Sequence, residues 1–201
     1  MYEQVSHSLL NEILQKLNPD IKSENIRHFY TRLGANFYSI YSLFHLLYGE
    51  RDDFKEQAQQ LVETMARQYI LRSDELKKID IERENDHNWF LSQKWTGMAL
   101  YADGFAGDLK NLVSKTSYFQ NLGVNMVHVM PIMECPNGHS DGGYAVSDFR
   151  KVDTRRGTME DLDNLSREFK KRDILLTLDV VLNHTSNAVS YTHLTLPTTS
   201  P

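Results

Sequence analysis

The stretch ILLTLDVVLNH, residues 174–184, decides the fold. Its apolar run is nearly continuous, and it ends in two polar residues, Asn183 and His184. A strand with one solvated face alternates apolar and polar side chains. An unbroken apolar run belongs to a strand covered on both faces, as in a parallel sheet. Two earlier stretches share this character: VNMVHVMPIM at 124–133, and the shorter, more mixed GMALYAD at 97–103.

Helical patterns separate the three runs. DLKNLVSKTSYFQNLG, residues 108–123, places Leu109, Leu112, Val113, Phe119 and Leu122 as one apolar side and stops at Gly123, so one amphipathic helix is expected. Thr158 opens a second helix running to about Arg172, with Asp161 three residues on as an approximate capping box. Residues 134–157 read as one long polar loop. Strand, helix, strand, helix, strand makes two βαβ units and hence a parallel α/β sheet. Doubly wound sheets and eight-fold (β/α)8 TIM barrels both begin this way. No dinucleotide-type glycine fingerprint follows the first strand and no phosphate-cradling lysine motif is present, so the barrel is favoured.

Upstream the period changes. Apolar residues recur at helical spacing over 5–17, 26–47 and 54–69, with Asn18-Pro19 stopping the first run and Gly49 the second. The expected organisation is an all-helical domain over 1–90, the start of a barrel over 91–188, and a separate tail over 189–201.

Bulk properties narrow the function. The chain has 201 residues with 40% hydrophobic and 24% charged residues, ordinary for a globular domain. A net charge of −5 gives no support for general nucleic-acid binding, and no apolar run approaches membrane-spanning length. The N-terminus lacks a basic segment followed by an apolar core, and the one cysteine, Cys135, cannot form an internal disulfide. A cytoplasmic location is the expectation. No metal site and no cofactor are expected, because no histidine has a second ligand at metal spacing.

Polar and aromatic residues gather where the strands end: Asp103, residues 140–144, and Asn183 with His184. In parallel α/β folds that face carries function. In SDGGYAVSDF, Asp141 precedes two glycines and Tyr144. A carboxylate beside an exposed aromatic suits a sugar, whose C–H face packs on the ring while its hydroxyls donate to the carboxylate. A plain Asp-Gly turn is the competing reading. Asp179 inside an apolar strand is costly unless paired, which favours a structural role. His184 reads equally as a hydroxyl-binding group or as a satisfied, partly buried histidine. His128 reads as core, and Cys135 as a passive loop thiol.

Taken together, DVVLNH at 179–184, KIDIEREN at 78–85, WFLSQKWTG at 89–97, FAGDLKNL at 105–112 and SDGGYAVSDFR at 140–150 resemble the amylosucrases of glycoside hydrolase family 13, the α-amylase superfamily. Much of that superfamily has an aspartate directly after the tyrosine; here Ala145 stands there, as in amylosucrases. The resemblance implies a helical domain before a TIM barrel, and a retaining enzyme that moves glucosyl from sucrose to an α-glucan acceptor and releases fructose. It implies substrate-binding roles for Asp141, Tyr144 and His184, with Asp179 and Asn183 structural in the site. Retaining cleavage needs two carboxyls about 5–5.5 Å apart. The resemblance puts the nucleophile, the acid/base and a third carboxylate on later strands, so no catalytic residue is expected within these 201 residues and the chain by itself is expected to be inactive. A sucrose hydrolase or another family 13 α-glucosidase is the alternative. A non-catalytic carbohydrate-binding half-barrel is the third reading.

The tail reads differently. Residues 189–198, VSYTHLTLPT, fit codon by codon an in-frame transposase-type sequencing adapter, and 199–201 the run-off behind it. The competing reading is a threonine-rich linker. Three barrel strands alone leave open edges, so the literal chain is expected to be insoluble or partly folded; a soluble monomer with a cooperative melt counts against that expectation.

Overall fold

A computed structural model describes residues 2–17, 24–140 and 142–188. Asp141 and the tail over 189–201 lie outside the described residues. The chain divides into two compact units, Met1–Trp89 and Phe90–Pro201.

The first unit is helical: α1 Tyr2–Leu17, α2 Glu24–Tyr48, α3 Phe54–Leu71 and α4 Asp74–Asn85. Its core follows from i, i+4 spacing, which stacks side chains on one helix face. Leu33, Phe37 and Tyr41 make one ridge, Phe54, Ala58 and Val62 another, and Leu9, Leu10 and Ile13 of α1 join them. Gly49 follows α2, where a Cβ would come within 2.5 Å of the His45 carbonyl oxygen. Ser73 caps α4 by accepting from the Leu76 N–H at 3.3 Å. The apolar runs read from the sequence did not single out α4, because only Lys77 of that helix is buried.

The second unit runs β1 Gly97–Leu100, α5 Ala102–Ala106, α6 Leu109–Val113, α7 Thr116–Asn121, β2 Met126–Val129, β3 Met133–Glu134, β4 Asp148–Val152, α8 Met159–Lys170 and β5 Leu175–Leu178. Strands β1, β2 and β5 form a parallel sheet in that order, with Gly97, Met126 and Leu175 in register. This is the mixed α/β arrangement expected, with a three-stranded parallel sheet.

Period-two geometry divides the sheet residues between faces. Leu100, Val127 and Val129 belong to the main core, with Leu109, Leu112, Phe119, Leu165 and Phe169 from the helices. Met98, Leu176 and Leu178 pack against the same cluster. Fully burying one such side chain contributes about 1.5–3 kcal/mol. Phe119 anchors the cluster: it stacks on Phe105 with centroids 5.6 Å apart and meets Phe169 edge-on at 5.8 Å. Helix α8 presents Leu165 and Phe169 inward. Its start carries a complete capping box. Thr158 Oγ1 accepts from the Asp161 N–H at 3.1 Å, and Asp161 Oδ2 accepts from the Thr158 N–H at 2.9 Å.

Four expectations are corrected. The single helix over 108–123 is two, α6 and α7. At the break, Ser114 Oγ donates to the Asn111 carbonyl at 2.6 Å and Thr116 Oγ1 to the Val113 carbonyl at 3.0 Å. Such side-chain bonds compete with helix continuation. The run at 124–133 is broken between β2 and β3 by Pro131, which has no N–H to give a ladder. The polar stretch at 134–157 holds a strand: β4 pairs antiparallel with β3, Met133 opposite Val152. Finally, β5 ends at Leu178, so Asp179 lies just past the strand and is half-buried, although its N–H still donates to the Val129 carbonyl at 3.1 Å.

Candidate functional site

The site is built where β1, β2 and β5 end. After β5 comes Asp179. Between β3 and β4 comes the segment with Gly142, Gly143 and Tyr144. The two meet: Tyr144 Oη donates to Asp179 Oδ2 at 2.7 Å. The phenol is held up at about 12, first because it donates to that carboxylate, then through burial and the carboxylate's charge. Tyr144 therefore stays neutral across the physiological range, and its ring is fixed by its tip.

The two glycines explain how the segment reaches this place. Both have positive φ, +60° at Gly142 and +90° at Gly143, a region that L side chains rarely enter. Space is also short. A Cβ on Gly142 would lie 2.9 Å from Tyr101 Oη and 3.4 Å from Tyr144 Cδ2. A Cβ on Gly143 would lie 2.8 Å from the Pro131 carbonyl oxygen and 3.4 Å from Arg156 Nη2. Cys135 closes the same turn: its Sγ lies 3.1 Å from the Gly143 carbonyl oxygen and 3.3 Å from that of Met133, and its one S–H is shared between these acceptors. It is buried with Val146 and Val181, with Tyr144 packed alongside. Cys135 lies in a loop, as expected, and is buried there against the glycine turn.

The remaining expected residues are placed as follows. Asp141 lies outside the described residues. Asn183 and His184 are both exposed, and His184 Nδ1 lies 3.1 Å from Asn183 Oδ1. Among the described residues, no hydrogen bond joins this pair to Tyr144 or Asp179. The partly buried reading of His184 is thus corrected: it is exposed, two residues after Leu182, which is 82% exposed. His128 is corrected too. It lies in register with Ala99 and Thr177, on the sheet face opposite Val127 and Val129, and its Nδ1 is 3.2 Å from Thr177 Oγ1.

Sequence reading missed a cluster beneath the glycine turn. Asp153 and Arg156 are buried, 3% and 6% exposed. Asp153 is paired by Arg155 through two nitrogens and by Arg156 Nη1 at 3.2 Å. Burial alone would raise the Asp153 pKa, but the hydrogen bonds and charges of these arginines hold it below the usual carboxylate range. Arg156 Nη2 also reaches Asp103 Oδ2 at 3.6 Å. The clue in the sequence is faint, two adjacent arginines in what reads as a polar loop.

A parallel α/β sheet with an anchored aromatic and polar groups on the segments after its strands defines a domain whose site is carried by those segments. The chain belongs to the alpha-amylase family: residues 52–196 match the alpha amylase catalytic domain. It is similar to an alpha-glucosidase of Schizosaccharomyces pombe (strain 972 / ATCC 24843), 46% identical over 85 residues, or 42% of this chain and 14% of that protein. It is also similar to an oligo-1,6-glucosidase of Bacillus cereus, 42% identical over 81 residues, 40% of this chain and 14% of that protein. Among solved structures, the trehalulose synthase MutB from Pseudomonas mesoacidophila MX-45 shares 37% identity over 47% of this chain and 18% of that one, with a TM-score of 0.43. The chain spans 14% of the length of those two curated relatives.

Proposed function

We propose that this chain contributes the first strands of a (β/α)8 barrel in a retaining enzyme that cleaves α-glucosides such as sucrose or isomaltose. The observation that carries the reading is the amylase-family match across residues 52–196. Tyr144 is the platform for the glucosyl ring, held flat by Asp179. Asp141 and His184 take hydroxyls of the same ring. On the family resemblance, the carboxyls that break the bond stand on later strands of the complete protein, where Asp141, Tyr144 and His184 bind and orient the sugar without cleaving it.

The α-glucosidase reading stands ahead of the sucrose-to-glucan transferase, because the relatives at 46% and 42% identity are glucosidases. The transferase remains a second reading on two features, Ala145 after the tyrosine and a helical unit before the sheet. The discriminating experiment takes the complete open reading frame containing this chain and supplies sucrose, with and without an α-glucan, and isomaltose in a parallel reaction. Glucose and fructose in equal amounts support a hydrolase. Fructose with growing glucan supports the transferase. Cleavage of neither sucrose nor isomaltose removes both.

Residues 189–201 belong, on this reading, to an adapter rather than to the protein. The family match itself runs to residue 196. Long-read sequencing of the source DNA across codon 188, without a transposase step, decides between them. The same tail in genomic DNA rejects the adapter origin.

A further inference from the structure

We infer that Arg156 is a positioning residue for substrate binding: its guanidinium is the underside of the glycine turn that delivers Tyr144. The inference rests on the proposed function and adds a residue to its site.

Four observations converge. Arg156 is 6% exposed, where a long cationic side chain is seldom found without a specific use. Its Nη1 pairs with Asp153 beyond the end of β4 at 3.2 Å, and its Nη2 with Asp103 of α5 at 3.6 Å. Its carbonyl oxygen accepts from the Leu109 N–H at 2.8 Å, which fixes the start of α6. The space left by the missing Cβ of Gly143 ends 3.4 Å from Nη2 on one side and 2.8 Å from the Pro131 carbonyl oxygen on the other. One side chain thus ties the segment after β1 to the arm after β4 and forms one wall around Gly143, the neighbour of Tyr144.

The charge bookkeeping separates this role from simple neutralisation of Asp153. Arg155 already satisfies Asp153 through two nitrogens and is half-exposed. A second arginine is therefore not required for that carboxylate. Arg156 moreover keeps its Nε without a hydrogen-bond acceptor among the described residues. A buried donor left open is unfavourable. It is tolerated here because the planar fork, with Nη1 and Nη2 on two carboxylates, sets the position of the whole group.

The test uses the complete protein and its α-glucoside substrate. Arg156→Met keeps an unbranched apolar stem and removes the fork. With the turn loosened, Tyr144 loses a fixed platform, and binding common to ground and transition states weakens. KM is expected to rise about tenfold, equivalent to about 1.4 kcal/mol, with kcat within about threefold. Arg155→Met, which also removes a partner of Asp153, should leave KM near wild type. Arg156→Lys should recover part of the loss, because one charge remains but the fork does not. If Arg156→Met does not fold, Asp103→Asn reports on the same tie and should raise KM in the same direction. A wild-type KM in Arg156→Met, or equal KM changes in Arg155→Met and Arg156→Met, overturns the inference. If the wild-type protein cleaves no α-glucoside, the proposed function itself fails, and the inference falls with it.

Discussion

Gly143→Ala measures how tightly the Tyr144 turn is wedged, and Gly138→Ala supplies the control. Both glycines have positive φ, +90° at Gly143 and +72° at Gly138. Both substitutions therefore incur the backbone term for an L residue there, about 1–2 kcal/mol. They differ in space. A Cβ at Gly138 meets nothing within 4 Å, whereas one at Gly143 meets the Pro131 carbonyl oxygen at 2.8 Å. That oxygen is main chain, next to the fully buried Ile132, and cannot swing aside as a side chain would. Forcing it away adds strain of about 1–3 kcal/mol. The expected totals are about 1–2 kcal/mol for Gly138→Ala and about 2–5 kcal/mol for Gly143→Ala. The assay is urea unfolding of the complete protein, with substrate KM measured in parallel. Gly143→Ala should lose more stability and raise KM, while Gly138→Ala should leave KM unchanged. Equal losses of stability would refute the wedge, because the backbone term alone would then explain both.

Three further outcomes are expected. The Tyr144 phenol should ionise near about 12 and return toward the ordinary 10.0 in Asp179→Asn, read by ultraviolet titration as the difference between variants. Because the folded value is raised, the stability this bond supplies is complete below pH 10 and disappears as pH rises from 10 to about 12. Phe119→Ala empties the centre of the second unit's core, where the ring is 0% exposed, and should cost about 3–5 kcal/mol in chemical denaturation. Thr158→Ala removes one half of the capping box on α8 and should cost about 1 kcal/mol, with Thr158→Ser recovering most of it.

What could be read without a structure depended on how local the cause was. The ridges of α2 and α3 follow from i, i+4 spacing and were legible, as was the cap at Thr158. The parallel strands β2 and β5 were legible from their apolar runs, and β1 more weakly, because GMALYAD is mixed and only Leu100 of that strand is buried. The end of β5 was not, because Val180, Val181 and Leu182 continue the apolar run after pairing has stopped, and Leu182 is exposed. Strand β4 was hidden because its sequence, DFRKV, carries two adjacent basic residues and derives its pairing from β3.

The site divides in the same way. Tyr144 and Asp179 could each be singled out from residue type and setting, yet their hydrogen bond spans 35 positions and no spacing rule gives it. Arg156 was passed over because a charged residue in a polar segment reads as solvated. Asp153 is three residues away, but Gly143 and Asp103 meet it only in the fold.

The most direct measurement follows the anomeric protons by NMR while the complete protein, and its Tyr144→Ala variant, act on sucrose and isomaltose. Retaining cleavage on a Tyr144 platform gives the α-anomer first, with a large loss of kcat/KM in the variant. No cleavage of either sugar, the β-anomer first, or a variant as active as the wild type would contradict it.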